Sequence, residues 1–167
     1  MILERILDAL FPPRCVICEK VVPMNGQRIC SSCRPLLPVI EEPVCMKCGK
    51  EIASDEEEYC VDCRKRVRSF ERVYPLYNYL SPLSDCLARL KYHGRQDYAF
   101  FFAEELYSRF SREFGRIGPD VVVPVPVNKK KYAERGYNQA GLIARKLSKK
   151  LGVPYDESLL LRLADTP

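Results

Sequence analysis

Eight of the nine cysteines in this 167-residue chain stand in Cys-x-x-Cys pairs: Cys15/Cys18, Cys30/Cys33, Cys45/Cys48 and Cys60/Cys63. Each pair opens 15 residues after the one before, so the spacing is an internal repeat. A two-residue gap lets both thiolates of one turn face a single ion while backbone N–H groups point at the sulfurs. Two such turns complete a tetrahedral four-sulfur site, with Zn–S bonds of about 2.3 Å. Two sites use all eight ligands, and two zinc ions are the expected cofactors. Iron in a rubredoxin-like site is the rival, because Gly49 follows Cys48 and four thiolates do not choose between the metals. A disulfide framework is not expected in a chain without an export signal. Pairing in chain order groups Cys15, Cys18, Cys30 and Cys33 in one ribbon and Cys45, Cys48, Cys60 and Cys63 in the next. Cross-bracing would alternate the pairs instead. Pro35, Pro38 and Pro43 stiffen the connection and favour chain order. A closed four-thiolate site keeps no position for substrate, so both centres are expected to be structural.

The ninth cysteine, Cys86, sits with Leu83, Leu87 and Leu90 at helical spacing and reads as a small buried hydrophobe. The only histidine, His93, lies seven residues on, nearly two helical turns away, so no Cys–His dyad is expected. No catalytic residue can be named from the residues alone. A second concentration of chemistry lies in the loop Pro124–Gln139. Val125, Pro126, Val127, Asn128, Lys129, Lys130, Lys131, Arg135 and Gly136 form a candidate phosphate-binding site there. It follows an apolar stretch and precedes a helix, the place where parallel sheets bind anions with backbone N–H groups and cations. The same residues would also serve as a plain solvated basic loop, and composition does not separate the two.

The elements that must position these groups follow from periodicity. Val73–Tyr79, Asp120–Pro124 and Leu159–Leu161 read as strands, the first weakened by Pro75. Ser81-Pro82 opens a helix that runs to about Tyr92. Asp97 is placed to cap a second, with Ala99, Ala103, Leu106, Phe110 and Phe114 on one face and Gly115 and Gly118 at its end. A third spans Gln139–Leu151, with Ile143, Ala144, Leu147 and Leu151 facing the core. Alternation of this kind predicts an α/β fold with a mostly parallel sheet after the ribbons. The opening MILERILDALF reads as an amphipathic docking helix, interrupted by Glu4, Arg5 and Asp8 and stopped by Pro12 and Pro13. It is neither a signal peptide nor a membrane span, and the cytoplasm is the expected compartment.

Composition narrows the classes further. With 47% hydrophobic and 29% charged residues the chain is not disordered, collagen-like or a coiled coil. The formal charge of +5 falls to about +1 once eight thiolates hold two divalent ions, so general basicity does not argue for a polyanion partner. The acidic run within Glu51–Tyr59 would repel phosphates and reads as a solvated hairpin tip.

The four cysteine pairs, LKYHGR at Leu90–Arg95 and VVVPVPVNKKKYAERGYNQA at Val121–Ala140 resemble the ComF family along the whole chain. The resemblance implies a double zinc ribbon joined to a type I phosphoribosyltransferase-like domain. It also implies an adapter role in natural competence, the uptake or processing of single-stranded DNA. Its partners would be that DNA and a competence helicase or other DNA-processing proteins. The alternative it carries is a phosphoribosyltransferase using phosphoribosyl diphosphate and Mg²⁺ with an unidentified acceptor. By similarity, Val125 to Asn128 would meet a diphosphate and Arg135 would add charge. Asn138 and Gln139 would orient the next helix or contact substrate, while Lys91 and Tyr92 belong to a family motif without an assigned role. The family's acidic pair and Thr-Thr-Gly loop do not occur here. The only Asp-Thr is Asp165-Thr166, just before Pro167. The expectation is therefore residues 1–14 as an N-terminal helix, 15–67 as a double ribbon, and 68–167 as the first part of a phosphoribosyltransferase-like domain. Such a chain would be inactive alone in phosphoribosyl transfer.

Overall fold

The computed structural model describes residues 12–23 and 26–163. The helix expected at the start of the chain and Asp165-Thr166 lie outside the described residues. The cysteine-rich part repeats one backbone design. At the first knuckle Arg14 and Val21 form an antiparallel bridge, the Cys15 N–H donates to the Lys20 carbonyl at 2.8 Å, and the Glu19 N–H donates to Cys15 at 2.9 Å. At the third, Val44 bridges Glu51, Cys45 donates to Lys50 at 2.8 Å, and Gly49 donates to Cys45 at 2.9 Å. The tie to the partner knuckle recurs too, as Val16 to Arg28 (2.9 Å) and Met46 to Glu58 (2.8 Å).

In both turns the residue after the second cysteine is left-handed: Glu19 at φ 60° and Gly49 at φ 71°. Glycine is required at the second position, because an added Cβ would stand 2.5 Å from Pro75 Cδ. At the first, the strained backbone is held by contacts to the Glu19 carboxylate from Arg95 at 2.6 Å and the Tyr98 hydroxyl at 3.0 Å.

A 3-10 turn (Arg34–Leu36) and five helices follow in order: α1 (Val61–Lys65), α2 (Leu83–Tyr92), α3 (Tyr98–Ile117), α4 (Lys129–Arg135) and α5 (Gln139–Leu151). Helix α2 buries Leu83, Cys86 and Leu90 at the expected spacing. Its first turn differs: Pro82 is the N-cap, and Ser81 instead donates its hydroxyl to Asp85 at 3.0 Å. Asp97 does precede α3 but caps nothing, since Arg95 takes both carboxylate oxygens at 3.0 Å. Helix α3 passes through Gly115 and ends at Gly118, whose φ of 59° closes it. It packs chiefly on α5. The basic loop also differs from expectation, because it contains α4. Asn128 accepts from the N–H groups of Lys130 and Lys131, and Gly136 at φ 77° stops the helix after two turns.

Regular secondary structure among the described residues is almost all helical, and the expected parallel sheet is reduced to isolated bridges. Val39 pairs antiparallel with Tyr77, and Val122 pairs parallel with Tyr155. Pro75, Pro124 and Pro126 each remove a ladder donor beside these bridges, which keeps them from lengthening. Leu159–Leu161 is exposed and unpaired rather than a strand, and the parallel partner of Val122 is Tyr155 instead.

One core joins ribbon and helices. Cys15, Val16, Val22, Ile29, Cys33 and Leu37 of the first ribbon share a buried cluster with Leu83, Cys86, Leu90, Tyr98, Ala99, Phe101 and Phe102. Charged groups stitch the same seam. Arg34 grips Glu105 with two bonds of 3.0 and 2.9 Å, and Arg89 donates to the Val16 and Ile17 carbonyls at 3.3 and 3.0 Å. The second ribbon is held differently, through the segment after α1. Val73 donates to the Lys47 carbonyl at 2.8 Å, Asn78 donates to Glu51 at 3.1 Å, and Tyr74 of this segment meets Phe110 and Phe114 of α3 edge-on.

Candidate functional site

The fold brings the eight knuckle cysteines into two groups in chain order. Within Cys15, Cys18, Cys30 and Cys33, and within Cys45, Cys48, Cys60 and Cys63, all sulfurs lie within 4.8 Å of one another. Cys18 and Cys30 sulfurs are 3.8 Å apart, and those of Cys48 and Cys60 are 3.7 Å apart. A tetrahedron with 2.3 Å metal–sulfur bonds has edges of about 3.8 Å, whereas a disulfide would need about 2.0 Å. The donor set therefore fits one zinc ion per group, and all nine cysteines are free thiols.

Local backbone prepares the charge. Burial opposes ionisation of Cys15 and Cys45, but N–H groups of Cys18, Cys30 and Ile17 bring the first down to about 7, and those of Cys48, Cys60 and Lys47 bring the second to about 6. Burial and the neighbouring sulfurs push Cys33 and Cys63 up to about 12. Four sulfurs this close ionise together only around a cation, which is the property of a metal centre. Cys86 lies apart and wholly buried, with its thiol pushed up to about 12 by burial, so it is inert packing. His93 is exposed at the end of α2.

The basic segment lines a cleft of about 1140 Å³ between α4, α5 and residues 155–163. Of the residues expected to bind phosphate, Pro126, Val127, Asn128, Lys129 and Lys130 reach this cleft; Val125, Lys131, Arg135 and Gly136 do not line it. The Val125 carbonyl accepts from the Asn138 side chain at 3.1 Å, and Asn138 also caps α5 by accepting from Ala140 N–H at 3.0 Å. Arg135 donates to Gln139 at 3.0 Å and lies 4.8 Å over the Tyr92 ring. Tyr137, buried, donates its hydroxyl to the Leu90 carbonyl at 2.5 Å. LKYHGR and RGYNQ thus interlock, and Tyr92 gains a role as the platform for Arg135. Because Asn128 occupies the first N–H groups of α4, the cleft's attraction for anions rests on its side-chain cations.

Sequence reasoning missed Arg145, Tyr155 and Arg162, which line the same cleft. Arg145 stacks 5.1 Å over Tyr155, whose hydroxyl donates to Glu157 at 2.7 Å. The one available signal was Gly141 inside a helix: an added Cβ would meet the Tyr155 oxygen at 3.1 Å.

Residues 6–64 match the family model of the double zinc ribbon domain. The chain carries a double zinc ribbon. Its curated relatives include the competence protein ComFC of Bacillus subtilis, 34% identical over 77 residues, which are 44% of this chain and 30% of that protein. They also include the DNA utilization protein YhgH of Escherichia coli K12, 30% identical over 101 residues, or 58% of this chain and 44% of the relative. YhgH of Salmonella typhi is 29% identical over 99 residues, again 58% and 44%. The matched stretches thus span less than half of each relative. No solved structure matches the chain. No helix among the described residues is long and apolar enough to cross a membrane.

Proposed function

We propose that this chain is a competence-type ComF protein, an adapter in the uptake or processing of single-stranded DNA. The observation that carries the reading is the open cleft in which Lys129, Lys130, Arg145 and Arg162 lie with Tyr132 and Tyr155. Cations track a phosphate backbone and aromatic faces receive unstacked bases, and that combination suits single strands without sequence preference. The relatives' names, competence protein and DNA utilization protein, support the same reading. The two closed zinc sites hold the ribbon surface in shape for a protein partner, a helicase or another DNA-processing protein. Eight reduced thiols suit the cytoplasm.

Residues 68–167 are, in this reading, the start of a phosphoribosyltransferase-like α/β domain. The parallel Val122–Tyr155 pairing across α4 and α5 supports it, being the connection a βαβ unit makes. The Pro124–Asn128 loop then sits at a carboxyl strand end, which also favours the second reading, a diphosphate site for phosphoribosyl diphosphate with Mg²⁺. Fluorescence anisotropy of a labelled oligothymidylate on the zinc-loaded chain tests the first against the second. Lys129→Gln with Lys130→Gln should weaken binding and lower the log K against log salt slope by about 1.4. No oligonucleotide binding by the wild-type chain, together with tight binding of phosphoribosyl diphosphate, would reverse the order of the two.

A further inference from the structure

A second basic group lies away from the cleft, where the first ribbon meets α3 and α5. Phe100 of α3 is approached by three cations: Arg28 of the ribbon with its guanidinium carbon 4.9 Å from the ring centroid, Lys146 of α5 at 5.5 Å and Lys150 of α5 at 5.9 Å. Lys150 also lies 5.4 Å from the Tyr107 ring, and Lys149 adds its charge to Lys146 from the same helix. None of these residues lines the cleft.

Opposing charge is scarce. The one ion pair recorded for these four cations among the described residues is Lys150 with Glu104, and the Arg28 Nε is buried without a hydrogen-bond partner. An aromatic ring offsets part of the repulsion between cations gathered on it, but leaves their net charge in place. Burial, with Lys149 and Arg28 beside it, pulls Lys146 below the usual lysine range. The group is built from separate parts of the chain, three of its four cations pack on aromatic rings, and it carries about three positive charges in excess of Glu104. An exposed charge run would not be held this way.

We infer that Arg28, Lys146, Lys149 and Lys150 form a second phosphodiester-binding site, which takes the backbone of the same single strand that enters the cleft. The inference rests on the DNA reading above and adds a contact that involves the ribbon itself through Arg28. Phosphate is the matching chemistry because the Arg28 guanidinium and the Lys146 and Lys150 ammonium groups converge on Phe100, with Lys149 adding charge from the same helix and Glu104 the acidic group paired among them.

The test measures anisotropy of a labelled oligothymidylate on the zinc-loaded chain, between about 50 and 200 mM salt. Arg28→Gln with Lys146→Gln should weaken binding and reduce the log–log salt slope by about 1.4, two phosphate contacts at about 0.7 each. Lys149→Gln, at an exposed position without an ion pair among the described residues, should reduce it by about 0.7 with zinc content and melting temperature unchanged, and it decides the matter if the double variant fails to fold. Combination with Lys129→Gln and Lys130→Gln should lower the slope further. Wild-type slopes in the folded variants would overturn the second site and leave the cleft reading standing, whereas no oligonucleotide binding by the wild-type chain would overturn both. Binding of a polyglutamate peptide in preference to the oligonucleotide, lost in the Arg28→Gln, Lys146→Gln variant, would overturn it in favour of an acidic protein.

Discussion

Removing one ligand from each zinc site should have unequal consequences, although the sites look alike in sequence. The pair to compare is Cys18→Ala and Cys48→Ala. Cys18 is exposed and Cys48 half-buried, so neither substitution leaves a cavity of consequence and both act through the metal. A structural zinc site contributes about 10–16 kcal/mol of folding free energy, while whole domains are stable by about 5–15 kcal/mol. At the first site the loss spreads. Val16, Val22, Ile29 and Leu37 are buried against α2 and α3, and four such side chains at about 1.5–3 kcal/mol each tie roughly 6–12 kcal/mol of apolar burial to that ribbon. Arg89 loses the Val16 and Ile17 carbonyls as well. None of the second ribbon's residues belongs to this cluster. Zinc content, near-ultraviolet circular dichroism of the packed Tyr98 and Phe101, and far-ultraviolet melting would be followed together. Cys48→Ala should lose one zinc yet keep the helical melt and the aromatic signal. Cys18→Ala should lose one zinc and both of those features. Two variants that melt alike, or a Cys18→Ala chain that keeps its aromatic signal, would refute the shared-core reasoning.

Three further outcomes are expected. Gly49→Ala should destabilise by at least about 2 kcal/mol in urea unfolding, because a left-handed alanine is strained and its Cβ would stand 2.5 Å from Pro75 Cδ. At the equivalent Glu19, alanine keeps the strain and loses the Arg95 and Tyr98 contacts, while glycine loses the contacts but relaxes the backbone. Glu19→Gly should therefore be more stable than Glu19→Ala by about 1 kcal/mol, and equal midpoints would remove the strain argument. Tyr137→Phe leaves the Leu90 carbonyl without its donor and should cost about 1–2 kcal/mol, a fall of about 2–8 °C in Tm by calorimetry.

The metal ligands were legible in sequence because their information is local: residue type and a fixed two-residue gap decide which atoms can share an ion. Their grouping in chain order was legible as well, through the prolines between the second and third pairs. Helix α5 was legible over its approximate span, since an apolar stripe runs up to the stop at Gly152, and the structure adds Asn138 as its cap. Helix α4 was not, because KKKYAER has no apolar face. It is held by the Asn128 side chain and the Gly136 turn rather than by periodicity. Asp97 failed as a cap for a reason outside any helix rule: Arg95, two residues away, bonds both of its carboxylate oxygens. The strand pattern was visible, but prolines beside Val122 and Tyr77 confine pairing to single bridges. Least legible was the interlock of Tyr137 with Leu90 and of Arg135 with Tyr92, because nothing local to either motif specifies a partner more than forty residues away.

That interlock gives α2 the character of a rocker arm. Arg89 and Leu90 are adjacent, yet one reaches the carbonyls of the first metal knuckle and the other accepts the tyrosine that opens α5. A tilt of this ten-residue helix displaces both contacts at once. Knuckle and cleft wall are thus fixed to the same short lever, so a displacement at either one bears on a part common to both.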